Sequence, residues 1–104
     1  MPQLFKIGSY VIYFWSNESN PLEPIHVHIS PGRPSSDATK IWITKSGHCI
    51  LANNKSQIPS ELLKKFMRLI EANSDGIKSQ WLEMFGEINF YCWYKNQIPN
   101  LKVI

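Results

Sequence analysis

The sequence predicts an α+β domain: an antiparallel sheet of about four strands followed by a two-helix hairpin packed on one face. Two observations predict it. In the first half of the chain, apolar residues recur with a period of two, as in Ile25-His26-Val27-His28-Ile29 and Ile41-Trp42-Ile43. From Pro59 onward the apolar period becomes that of a helix. Strands first and helices second is the order of a segregated sheet and helix layer, not of alternating parallel crossovers.

The elements follow in order. Tyr10 to Trp15 is aromatic and β-branched throughout, which reads as a strand covered on both faces. Ser16 to Pro21 is a cluster of turn formers. The strand around His26 and His28 follows, so these two form an antiparallel hairpin with a long loop. Ser30 to Asp37, with Pro31, Gly32 and Pro34, reads as a loop. Thr39 to Thr44 is a third strand, with Ile41 and Ile43 on one face and Trp42 and Thr44 on the other. Lys45-Ser46-Gly47 is a hairpin-length turn into a short fourth strand, His48 to Ala52.

Leu62, Leu63, Phe66, Met67 and Ile70 then make one helical stripe, and Glu61, Lys64, Lys65, Arg68 and Glu71 fall off it. Pro59 suits the first turn. After Asn73-Ser74-Asp75-Gly76 a second helix runs to about Phe85, with Ile77, Trp81, Leu82 and Phe85 inward. Ser74 and Asp75 are candidate caps at its start, and Gly86 is its C-terminal stop. Asn89 to Tyr94 is a candidate extra edge strand, and the tail 95–104 has no assignment.

With 104 residues the chain reads as a single domain, 1–104, able to bury one modest core. Its net charge of +3 is spread among interspersed acids and bases, unlike the concentrated stripe of a typical nucleic-acid binder. The nearest basic cluster is Lys64, Lys65 and Arg68. It has the character of a solvated helix face more than of a phosphate site. Two cysteines, Cys49 and Cys92, do not make a secreted disulfide framework. No signal-peptide layout and no membrane-length apolar run is visible, so the expected compartment is the cytoplasm and no membrane association is expected.

The candidate chemistry lies in His26 and His28, which a strand would set side by side on the face opposite Ile25, Val27 and Ile29. Two imidazoles so placed can bind a metal, hold a phosphate or accept a partner's carboxylate. Lys40 on the adjacent strand could stabilise developing phosphate charge, which makes His26, His28 and Lys40 the catalytic candidates of a hydrolase. Trp42 could stack on a base from the same face. With Glu23, these residues would form a binding surface of His26, His28, Trp42 and Glu23. No cofactor is expected. Zinc, the one metal to consider, would need more ligands than the pair, with His48 the third candidate and Glu23 and Cys49 further ones. Cys49 follows His48 directly, so the two point to opposite faces, and its thiol reads as a small buried hydrophobe rather than a nucleophile. On a polar face, replacing both histidines by alanine is expected to leave the fold intact.

A wider set of residues carries a resemblance. It comprises Tyr13, Phe14, Ser16, Asn17, Glu18, Pro24, His26, Val27, His28, Lys40, Trp42, Leu51, Ala52, Asn53, Asn54, Trp81 and Phe85. In this order they resemble the small prokaryotic family known as domain of unknown function 4160, over about residues 8–90. The family's common Asn-Pro-Pro-His is rearranged here to Asn20-Pro21-Leu22-Glu23-Pro24-Ile25-His26, which brings the carboxylate of Glu23 close to the histidines. The resemblance implies the fold and no established chemistry. It also implies a neighbouring gene for a second small protein, an arrangement similar to a toxin–antitoxin pair.

The expected function is therefore a small cytoplasmic binding module acting with a partner protein encoded nearby. A His-dependent nuclease or metal-assisted hydrolase is the first alternative, and a nucleic-acid-binding regulator the second.

Overall fold

A computed structural model describes residues 3–15 and 22–91 of the chain. The elements are β1 (Gln3–Ile7), β2 (Tyr10–Tyr13), β3 (His26–Pro31), β4 (Thr39–Ile43), β5 (Cys49–Asn53), α1 (Ser60–Ala72) and α2 (Ser74–Phe85). The strands form one antiparallel meander in sequence order, with both helices following. The α+β architecture is as predicted, with five strands rather than about four.

The added strand is β1. Its residues Gln3-Leu4-Phe5-Lys6-Ile7 are short and only loosely alternating, so periodicity alone misses them. The signal was the Gly8-Ser9 pair, a two-residue connection of hairpin length, with Gly8 at φ +59°.

Register fixes the faces. Ile12 lies opposite Ile29, and Val27 opposite Ile41. These join Phe14, Ile25 and Ile43 in a fully buried layer that Leu63, Phe66, Ile70, Ile77 and Trp81 cover from the helices. Leu62 and Phe85 pack at the edge of this core. The helical stripe and the period-2 face thus meet as their spacing requires. The other face carries Tyr13 opposite His28, His28 opposite Lys40, and His26 opposite Trp42. There, Val11, Tyr13 and Ala38 make a small second cluster with Trp15 against it.

The helix boundaries show one correction. Ser74 and Asp75 do not cap α2, because they already lie within its first turn. The break between the helices is the single residue Asn73, whose carbonyl accepts from Ile77 N–H. Gly86 does end α2, at φ +79°, with its N–H donated to Leu82 O at 2.7 Å.

The candidate C-terminal strand is not formed over Asn89–Tyr91. That segment instead meets the chain just before β3, where Asn89 O accepts from Ile25 N–H. Residues 92–94, including Cys92, and the tail 95–104 lie outside the described residues. Among the described residues no helix is long and apolar enough to cross a membrane.

Candidate functional site

The site is built on the start of β3. Strand alternation sends His26 and His28 to the face away from the core, and their rings meet edge to face, 4.9 Å between centroids. His26 ends up fully buried, which the sequence did not suggest. Its ring is ringed by aromatic edges: Trp42 from β4 at 5.6 Å and Trp81 from α2 at 5.4 Å. Its Nδ1 lies 2.9 Å from Pro24 O. A carbonyl only accepts, so Nδ1 carries a proton and the ring's remaining chemistry sits at Nε2.

His28 is half-buried and stacks on Tyr13 at 5.5 Å, with Trp15 tilted against it at 6.4 Å. Tyr13 is itself held firmly, accepting from Ser35 N–H at 3.1 Å. Ser30, next on the same face, donates its hydroxyl to Arg33 O at 2.7 Å. The loop after β3 is thereby tied back to the sheet face beside the histidines.

Lys40 is not a free cation. Its ammonium donates to Glu23 Oε1 at 2.5 Å and lies 4.3 Å over the Trp42 ring. The pairing follows from the place of Glu23, just before β3 and across from β4. The hydrolase reading assigned Lys40 to a developing phosphate charge, and here a carboxylate already neutralises it.

Trp42 is covered as well. Tyr91 lies parallel to it, 4.8 Å between centroids and 4° between planes. The place a stacked base would take is therefore filled by this phenol ring. Tyr91, in the stretch the sequence offered as an edge strand, was not foreseen as a partner of Trp42.

His48 stands apart. It is exposed on the β4–β5 turn, with Nδ1 3.8 Å from Glu71 Oε2 of α1. Glu71 Oε2 also accepts from Cys49 N–H at 2.8 Å. The Cys49 thiol donates to Met67 O, and burial, reinforced by the Glu71 charge, pushes its pKa up to about 12. Such a thiol is no nucleophile near neutral pH. Among the described residues no three His, Cys, Asp or Glu side chains come together as a metal site. His48 thus does not complete a zinc set with His26 and His28, nor do Glu23 and Cys49.

Sequence reasoning missed a second member of the cluster. Trp81 was placed in the core, but not against His26. It packs on Phe14 at 5.2 Å and on Phe85 at 4.4 Å, and its buried Nε1 has no hydrogen-bond partner.

Residues 9–82 match the family model described as domain of unknown function (DUF4160). The chain belongs to this family. The matched span of DUF4160 begins just before β2 and ends within α2. It therefore holds the His pair, Lys40, Trp42 and Trp81, and leaves β1 outside. No curated protein and no solved structure matches the DUF4160 chain.

Proposed function

We propose that this protein is a small cytoplasmic binding module that works through a partner protein, in a two-gene pair of the toxin–antitoxin kind. The observation that carries this reading is the open end of the sheet: β5 pairs with β4 and has no strand beyond it among the described residues. An unpaired edge is a ready site for an added strand. The histidine cluster supports the same reading from the other side. Acid–base hydrolysis needs reachable imidazoles and a free cation for the developing charge. Here His26 is fully buried and Lys40 is engaged by Glu23. Such a cluster organises the sheet face that β3 and β4 share.

Co-expression with the product of the adjacent gene tests the reading. The expected result is a complex that survives affinity and size-exclusion purification. A protein that stays monomeric beside a folded neighbour product would overturn it. So would purified protein that cleaves RNA and loses that activity in His28→Asn.

A further inference from the structure

We propose that the outer edge of β5, together with the adjoining flank of α1, is the docking site for an extended acidic segment of the partner protein. This deepens, and rests on, the binding-module reading above.

Among the described residues β1 and β5 are the two edges of the sheet, and they differ. β1 carries Lys6 within the strand and a register break between Gln3 and Phe5, both devices that discourage added strands. β5 reads Cys49-Ile50-Leu51-Ala52-Asn53, with no charge and no proline. Its own register break falls toward Asn53 and leaves Cys49 to Leu51 regularly paired. Leu51 is 41% exposed, and Ala52 is exposed beside it.

The main chain of this edge already shows what it accepts. Cys49 N–H points outward, because it donates to the Glu71 carboxylate and not to β4. Antiparallel alternation turns the N–H and C=O of Leu51, two residues on, the same way. One outward donor is thus capped from within, and among the described residues no backbone bond outside the sheet engages the next pair.

Charge selects the occupant. Met67 O accepts from the Cys49 thiol and Glu71 reaches Cys49 N–H, so this flank of α1 lies against β5. Lys64, three residues from Met67, and Arg68, three from Glu71, sit on the same flank by helical spacing. Two carboxylates share it: Glu61 lies 4.0 Å from Lys64 in an exposed pair that water screens, and Glu71 is engaged at Cys49 N–H. Asn54 binds both backbone groups of Ile58, so the chain turns back and α1 runs antiparallel to β5. Lys64, about 10 Å along the helix from Glu71, therefore lies toward Leu51 and Asn53. Lys45 and Lys55, both exposed, bracket the strand at its two ends. A segment with carboxylates toward α1 and apolar side chains beside Ile50 matches this surface. A second copy of this chain does not. Pairing β5 with β5 would set Lys64 and Arg68 against the same residues of the other copy, and like charges so placed oppose association.

The test uses a short capped peptide alternating glutamate and valine, titrated into the full chain and read by backbone amide NMR. Shifts are expected at Cys49 to Asn53 and around Lys64 and Arg68, and they should shrink with added salt. A lysine–valine peptide should leave these amides unmoved. Leu51→Pro, which removes an outward N–H, should abolish the shifts. Lys64→Glu with Arg68→Glu, both exposed and safe for folding, should weaken binding about tenfold. Equal response to both peptides, or no response at β5, overturns the inference, as does self-association through β5. Copurification with the adjacent gene's product separates the two readings. If the complex forms equally well with Leu51→Pro and with the charge-reversed variant, the module reading stands and the β5 site falls. If no complex forms with wild type, the module reading falls, and the peptide titration alone decides the edge.

Discussion

His26 and Trp81 pack ring against ring, 5.4 Å apart and both fully buried, which ties the histidine strand to the second helix. The contact makes His26 a structural residue. Truncating it to alanine leaves a cavity against Trp81 and Trp42 and strips the donor from Pro24 O. The expected cost is about 2–3 kcal/mol, below a full aromatic truncation and above a lone hydrogen bond. His28→Ala should cost about 1 kcal/mol, the range of its stacking on Tyr13. Urea unfolding of the two single variants checks the order. Equal costs would place His26 on a solvated face after all, as the alternation alone suggested.

Phe66→Ala should cost about 3–5 kcal/mol. Phe66 is buried between the sheet and α1, with its ring edge-to-face on Tyr10 at 5.2 Å. A loss under about 0.5 kcal/mol would mean that α1 does not cover the isoleucine face.

The raised pKa of Cys49 makes a prediction in alkali. The folded thiol ionises near 12, against a reference value of 9.0. The unfolded chain therefore releases this proton first as pH rises. The Cys49 contribution is present in full below pH 9.0 and is lost progressively toward pH 12. Stability measured across that window should fall less steeply in Cys49→Ala than in wild type. In a Cys92→Ala background, native protein at pH 7.5–8 (about that range for thiol labelling) should react slowly with a disulfide reagent and quickly once unfolded.

Glu23 and Lys40 are both partly exposed, so their pairing is screened by water. A double-mutant cycle with Glu23→Gln and Lys40→Met should give a coupling of under about 1 kcal/mol, reduced further by salt. Lys40→Met should still disturb Trp42, whose indole shields the ammonium, and a shift in tryptophan fluorescence would register it. An unchanged spectrum would mean that the ammonium spends little time over the ring.

By itself the sequence determined whatever depends on local period. Alternation at Ile25 to Ile29 and at Ile41 to Ile43 assigned the core face, and the stripe from Leu62 to Ile70 assigned its helical cover. The same alternation set His26 and His28 together and left Trp42 on their side, since neighbours on a strand share a face at every second residue. Depth was a different matter. Whether a face is wet depends on elements far along the chain, and period carries no information about them. Only the tertiary structure brought Trp81 onto His26, Tyr91 onto Trp42 and Glu23 onto Lys40, and so turned an apparently polar face into a packed one. It also decided that β5 ends the sheet among the described residues with Glu71 of α1 at its side, because that placement follows from how the helix docks and not from the residues of either element alone.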